Sequence, residues 1–184
     1  MRIIAGSLRG RTLKSTQTAM LRPTTDRVRE SIFNILAARF EFEGAQALDL
    51  FAGTGALGIE ALSRGAAACD FVESDRRASA VITDNLRTLG VASRGRVTTR
   101  DALKFLEETD RPYDLIFADP PYAATIFERL VRDIASKGRL SREGLFVLEH
   151  AGAMAAPSGA GLELVTTRGF GDTGISIYAV AAGE

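Results

Sequence analysis

From residue 45 onward the chain alternates short apolar runs with longer segments of helical periodicity, and this alternation constrains the fold more than any other feature. The apolar runs predict strands at 46–51, 69–73, 95–99, 113–118 and 144–149. Helical patterns lie between them, near 56–64, 76–89, 101–108 and 123–137. Such a rhythm predicts an α/β fold, a parallel sheet covered by helices. An Ala/Gly/Pro/Ser stretch runs from His150 to Gly161 and reads as a flexible connection. Two last strand candidates, 162–168 and 174–180, flank Gly169-Phe170-Gly171-Asp172-Thr173 and read as a hairpin closing one sheet edge.

With 184 residues, 46% apolar and 25% charged, the chain has room for one ordinary globular domain, or one with a short extension. The single cysteine, Cys69, excludes an intramolecular disulfide and a thiolate metal cluster, and the single histidine, His150, excludes a multi-histidine metal site. No metal is expected. No apolar run approaches the ~18–20 residues of a membrane span or follows the N-terminus at signal length. The chain reads as cytoplasmic.

Zero net charge hides an asymmetry. Residues 1–30 hold seven basic residues (Arg2, Arg9, Arg11, Lys14, Arg22, Arg27, Arg29) and two acids, a local charge of +5 balanced by −5 over the rest. A basic extension on an acidic body fits a polyanionic partner, although a merely solvated charged face fits as well. Within the extension, residues 2–14 read as two short strands around a Gly-containing turn. A helix follows from Pro23, capped by Thr24 or Thr25. Its apolar stripe is Val28, Ile32, Ile35 and Leu36, which leaves Arg27 and Arg29 off the stripe.

The chemistry concentrates after the first, second, third and fourth strands of the alternating region. Asp49-Leu-Phe51-Ala-Gly53-Thr54-Gly55-Ala-Leu-Gly58 leaves a strand, turns at glycines and opens a helix. A helix N-terminus offers unpaired N–H groups, and glycines let a ligand approach the backbone. Glu73, 20 residues after Gly53 and at the end of the next strand, is placed to accept hydrogen bonds from both ribose hydroxyls. Asp101, followed by Ala102, lies beyond the third strand; an acceptor for an adenine amino group and a plain helix N-cap are equally open for it. Asp119-Pro120-Pro121-Tyr122 ends the fourth strand. Two prolines remove two N–H donors and stiffen the turn. A carboxylate and a fixed Pro120 carbonyl can together accept both hydrogens of an exocyclic amine, with Tyr122 as a stacking face.

Asp-Pro-Pro-Tyr together with the 49–58 loop resembles the class I S-adenosylmethionine-dependent amino-methyltransferases. Arg2-Ile-Ile-Ala-Gly with Arg9-Gly-Arg11-x-Leu13, then Leu21-Arg22-Pro-Thr-Thr-Asp-Arg27-Val-Arg29-Glu-x-Ile-Phe-Asn34 and Ala61-Leu-Ser-Arg-Gly65-Ala66, narrow the resemblance to the RsmD family of bacterial 16S rRNA guanine-N2 methyltransferases. It runs from residue 1 to about 150, and it departs at Ala5, where a Gly is common. The resemblance implies a Rossmann-like, seven-stranded, mostly parallel sheet with its last strand antiparallel. It implies two parts, a basic RNA-contacting hairpin and helix over 1–43 and a methyltransferase domain over 44–184. S-adenosylmethionine would lie on Asp49, Phe51, Gly53, Thr54, Gly55, Gly58, Glu73, Asp101 and Ala102. The target guanine would lie on Asp119, Pro120, Pro121 and Tyr122, and rRNA phosphates on Arg9, Arg11, Lys14, Arg22, Arg27 and Arg29. The expected partner is 16S rRNA in the small subunit or an assembly intermediate, met by a monomer.

Three other readings share parts of this pattern. An adenine-N6 DNA methyltransferase has Asp-Pro-Pro-Tyr, but 184 residues leave little room for a target-recognition region. A nicotinamide-dependent oxidoreductase uses a similar glycine loop but leaves Asp119–Tyr122 unexplained. A non-catalytic ribosome-assembly factor could be built on the same fold. Cys69 is expected in strand packing, His150 at the surface, and Phe33, Phe40, Phe42 and Phe51 in the core.

Overall fold

The computed structural model describes residues 1–15, 26–121, 124–152 and 161–181. Arg22, the cap candidates Thr24 and Thr25, Tyr122 and most of the Ala/Gly/Pro/Ser stretch lie outside the described residues. The strands are β1 (Gln46–Leu50), β2 (Ala68–Glu73), β3 (Gly95–Thr99), β4 (Tyr113–Ala118), β5 (Leu140–Ala151), β6 (Leu162–Phe170) and β7 (Thr173–Val180). The helices are α1 (Asp26–Ala37), α2 (Ala56–Ser63), α3 (Arg76–Leu89), α4 (Ala102–Glu108) and α5 (Ala124–Ser136). All seven strands form one sheet in the order β3-β2-β1-β4-β5-β7-β6. Pairing is parallel from β3 through β5, and β7 runs antiparallel to both of its neighbours. This is the Rossmann-like arrangement with a reversed last strand.

The strands are apolar on both faces because helices cover both faces. Ala47, Cys69, Phe71, Leu115 and Phe117 enter one core with α1, α2 and α3. Leu48, Leu50, Val72, Ile116 and Ala118 enter a second core with α4 and α5. α3 shows how local sequence sets an element. Asp75 caps it by accepting from the Ala78 N–H at 2.8 Å, Ile82, Leu86 and Leu89 recur on its buried side, and Gly90 ends it at φ 76°.

Two expectations for the first 43 residues are corrected. The two short strands within 2–14 are paired antiparallel as expected but are shorter: the pairing is confined to residues 1–3 against 10–13, with a bridge between Arg2 and Thr12 and Ile3 N–H and Leu13 N–H donating to the carbonyls of Arg11 and Met1, each at 3.0 Å. The backbone of residues 4–8 pairs with α2 instead of across a ladder. Ile4 and Ala5 donate to the two oxygens of Glu60 at 2.8 and 3.0 Å, Ser7 donates to the Ser63 carbonyl at 2.7 Å, and Leu8 donates to Ser63 Oγ at 3.0 Å. Gly6 (φ 81°) has no room for a side chain, since a Cβ there would lie 1.9 Å from the Ser63 carbonyl. The second correction concerns Arg29, which is 1% exposed rather than on the open side of α1. The stripe of α1 is Val28, Arg29, Ile32, Phe33 and Leu36, rotated from the predicted one so that Arg29 lies one turn before Phe33 on the same face.

Cys69 is buried in β2 as expected, and Phe33 and Phe42 are in the core. His150 is not at the surface. It is 2% exposed, with Nε2 2.8 Å from Ser176 Oγ and Nδ1 2.9 Å from the Ala151 carbonyl. β7, inserted beside β5, covers it, and Gly174 of β7 leaves the space that its ring fills.

Glu60 is fully buried and also meets Arg64 Nε at 2.9 Å, so one carboxylate fastens the N-terminal segment to α2. Glu60→Ala should therefore cost about 3–5 kcal/mol, the usual penalty for stripping one partner from a buried ionic group. Glu60→Gln, which keeps one acceptor, should cost less. Urea unfolding midpoints measure both; a loss below about 1 kcal/mol for the alanine variant would contradict this anchoring role.

Candidate active site

Strand order reverses direction at β1. Its neighbour β2 leads outward to β3, and its other neighbour β4 leads outward to β5. Open α/β sheets bind ligands at the carboxyl edge beside such a reversal, where the two outgoing connections diverge. The described part of nearly every residue singled out for cofactor or substrate lies on that edge.

The turn from β1 to α2 is bent by positive φ angles at Phe51 (57°), Gly53 (54°) and Gly55 (76°). Phe51, expected in the strand, instead follows it, half-buried and in a conformation that is uncommon outside glycine. Gly55 occupies the N-cap of α2 and provides no side-chain cap. Gly58 has a different role: a Cβ there would lie 2.4 Å from Phe71 Cε1 and 2.6 Å from Cys69 Sγ. The absence of a side chain lets α2 rest directly on β2. Its N–H donates to Asp49 Oδ2 at 2.9 Å.

Asp49 is 2% exposed. Burial pushes its carboxyl up to about 8; the Gly58 N–H opposes that shift, and the charges of Asp119 and Glu73 add to it. These three carboxylates, from three strands, thus lie within electrostatic reach of one another. Glu73 ends β2, accepting from Gly53 N–H at 2.9 Å through Oε2 and from Asp75 N–H at 2.8 Å through Oε1. Asp101 is exposed and caps α4, accepting from Lys104 N–H at 2.9 Å through Oδ1, while Ala102 behind it is buried. Asp119 is half-buried at the end of β4, followed by buried Pro120 and exposed Pro121. Thr54 is buried, its hydroxyl 3.9 Å from Met1 Sδ.

Sequence reasoning missed Asn85. It is 2% exposed on α3 and joins three segments: Oδ1 accepts from Lys14 N–H at 2.9 Å, and Nδ2 donates to the carbonyls of Lys14 and Thr54 at 3.1 and 3.2 Å. Its signal was a polar residue on the apolar side of a helix, one turn from Ile82 and Leu89.

The basic residues separate into different environments. Arg9 and Arg27 are exposed. Arg11 donates to the carbonyls of Leu89 and Thr88 at 3.1 and 2.6 Å, where a cation meets the last turn of α3. Lys14 pairs with Asp84 at 2.5 Å. Arg29, expected among the RNA contacts, is instead buried and does not face an RNA phosphate.

Residues 1–179 match the family model "Conserved hypothetical protein 95". The chain belongs to this family. It is 44% identical to ribosomal RNA small subunit methyltransferase D of Escherichia coli K12 over 149 residues, 81% of this chain and 74% of that protein. It is 41% identical to the Bacillus subtilis protein YlbH over 183 residues, 97% of this chain and 98% of that one. Among solved structures it superposes on the Escherichia coli protein yhhF with a TM-score of 0.87 at 39% identity, covering 100% and 99% of the two chains. A Thermus thermophilus protein, TTHA0928, gives 0.83 at 31% identity, covering 98% and 99%. The fold is therefore that of the class I methyltransferases, and the resemblance to the RsmD family seen in the motifs is borne out.

The buried acid gives a pH signature. Asp49 is raised above its ordinary value of 3.8, so its stabilising contribution is complete below about pH 4 and is lost as pH rises to about 8. The wild type should lose stability relative to Asp49→Asn across that window, and the difference should level off above it. Urea midpoints of both proteins at about pH 5 and about pH 8 measure the effect. A difference independent of pH would show that Asp49 is not held protonated.

Proposed function

We propose that the protein transfers the methyl group of S-adenosylmethionine to the exocyclic N2 amine of a guanine in 16S rRNA of the small ribosomal subunit. The observation that carries this reading is the placement of Asp119-Pro120-Pro121 at the end of β4, beside the Gly53–Gly58 turn of β1, at the point where strand order reverses. The names of the relatives agree with ribosomal RNA as substrate; the guanine N2 atom comes from the Asp-Pro-Pro-Tyr pattern and the motif resemblance.

The residues present fit the cofactor. Positive-φ glycines bring backbone close to a ligand, the N-terminus of α2 faces the same edge, and Glu73 and Asp101 stand as acceptors on successive strands toward β3. In this reading Glu73 serves the ribose, Asp101 the adenine through the oxygen that does not cap α4, and Ala102 the wall behind it. Asp49 acts on the ligand through the Gly58 backbone that it holds. The bound cofactor supplies an electrophilic methyl on a sulfonium.

Guanine N2 is a weak nucleophile because its lone pair is delocalised into the ring. Asp119 and the Pro120 carbonyl accept its two hydrogens, aim the lone pair and take up positive charge as it develops there. The proton then leaves to Asp119 or to water. Pro121 keeps the turn stiff, Tyr122 offers the base a stacking face, and the guanine leaves its helix to reach them. Arg9, Arg22 and Arg27, with the second-tier cations Arg11 and Lys14, give phosphate affinity without base specificity. The segment 1–43 serves as the RNA-contacting part of a monomeric enzyme, acting in the cytoplasm.

The test is single-turnover methylation of unmodified small subunits with labelled S-adenosylmethionine and mapping of the product nucleotide. Asp119→Ala should bind cofactor nearly as well as wild type yet lose turnover that no cofactor concentration restores, and Asp119→Asn should be intermediate. Wild-type rates in Asp119→Ala would reduce the Pro-Pro element to a simple turn. Glu73→Ala should weaken cofactor binding by about one to two decades, as expected for losing charge-assisted hydrogen bonds worth roughly 1.5–3 kcal/mol, with turnover largely recovered at saturation.

The RNA arm makes a separate prediction. Arg9→Ala and Arg27→Ala should each lower the slope of log affinity against log salt by about 1, with cofactor affinity unchanged. An unaltered slope in the double variant would reject the arm as an RNA contact.

A further inference from the structure

Arg76 and Arg77 open α3, and Lys104 lies in the first turn of α4. All three are exposed, and among the described residues their side chains make no hydrogen bond and no ion pair. Arg100 beside them differs, because it pairs with Glu108. The placement of the three free cations runs against a local rule. The first turn of a helix is its positive pole, so cations there cost stability, whereas Arg87 in the last turn of α3 is well placed. The neighbouring acids do not compensate. Asp75 accepts from the Ala78 N–H, Asp101 from the Lys104 N–H, and Glu73 from the N–H groups of Gly53 and Asp75. A local rule broken with no gain inside the fold points to a partner outside it.

The three cations share one region. Glu73 is in register with Thr99, and the Arg100 N–H donates to the Glu73 carbonyl at 3.0 Å, so β2 and β3 end side by side at one level. α3 packs in the first core and α4 in the second, on opposite faces of the sheet. Arg76 and Arg77 therefore flank these strand ends from one face, and Lys104 flanks them from the other. In the order β3-β2-β1-β4, β2 lies two strands from β4, roughly 10 Å, and Asp119 follows β4 directly. The amino end of the sheet has the opposite sign. Glu41, Glu43, Asp114 and Glu143 line one cavity there, with Arg39 as its cation.

We propose that Arg76, Arg77 and Lys104 form a second RNA-contacting surface, which takes backbone phosphates beside the nucleotide that reacts. The inference rests on the RNA reading above and extends it, since these residues lie outside the basic arm of residues 1–43. A base that enters the crevice at the end of β4 leaves its flanking phosphates outside the crevice. Exposed cations two strands away, unpaired within the protein, attract those phosphates. The acidic amino end repels the same polyanion and turns it toward the carboxyl edge.

Binding of unmodified small subunits across a salt series tests this surface in the whole chain. Arg76→Ala with Arg77→Ala should lower the slope of log affinity against log salt by about 2, and addition of Lys104→Ala should bring the loss to about 3. Arg76→Lys with Arg77→Lys keeps both charges and should retain most of the wild-type slope. The triple alanine variant should bind S-adenosylmethionine as wild type does in calorimetric titration. At low salt and saturating subunits its single-turnover methylation should approach the wild-type rate. Its melting temperature should hold or rise, because alanine removes charge from the positive ends of two helices. An unaltered salt slope in the triple variant overturns the proposal. A loss of cofactor affinity also overturns it, by making these cations part of the cofactor site. A slope that falls as far in the lysine variant as in the alanine variant would make the effect structural and overturn it as well. Wild-type protein that binds no small subunit, or binds it without salt dependence, rejects the RNA reading itself, and that outcome is seen before any variant is compared.

Discussion

The hydrogen bond from the Gly58 N–H to Asp49 is the contact on which the rest of the site depends. It joins the last residues of β1 to the first turn of α2 across the Phe51–Gly55 turn. The bond is possible only because Gly58 lacks a side chain, which lets α2 settle on Phe71 and Cys69. Once α2 is seated there, its first turn must begin at Gly55, and the chain between Leu50 and Gly55 has to turn through three positive φ angles. Glu73 secures the same loop from β2 through the Gly53 N–H. A residue read as a ligand contact is thus also part of the scaffold for the neighbouring contact.

The N-terminal segment extends this logic outward. α2 is buried nearly all round, with Glu60 and Ser63 as well as its apolar residues out of solvent. A helix of that kind needs cover on the face away from the sheet, and residues 3–8 provide it with backbone N–H groups aimed at Glu60 and Ser63. Asn85 closes the circuit by holding Lys14 and Thr54 together. The N-terminal segment is therefore continuous with the β1–α2 turn through the hydrogen bonds of Asn85.

The helix and strand rhythm after residue 45 was legible in the sequence because both sheet faces are covered, which makes the strands continuously apolar and the helices clearly one-sided. Two of the edge residues were legible for the same reason: Glu73 and Asp119 sit at the ends of apolar runs. β5 was read two residues short at its end, and four short at its start because Leu140 rejoins the sheet only across a register break opposite Tyr113. Where the sequence misled, burial of polar groups was responsible. Arg29 and His150 were assigned to solvent on residue type, yet each lies inside with specific partners. The α1 stripe shows why: Val28, Ile32 and Leu36 fit a helix face with or without Arg29, and only packing of Phe33 on Phe117 fixes the rotation.

Electrostatics links the strand ends. The carboxyl edge gathers acids from three strands; burial first, and the charges of Asp119 and Glu73 after it, push the Asp49 carboxyl up to about 8. By the same Coulomb rule, a positive charge beside Asp49 favours its ionised form. The strand ends therefore accept cationic groups readily and resist anionic ones. A cation arriving at this edge would thus pull the Asp49 carboxyl back down, which couples the protonation of β1 to the charge bound beside it.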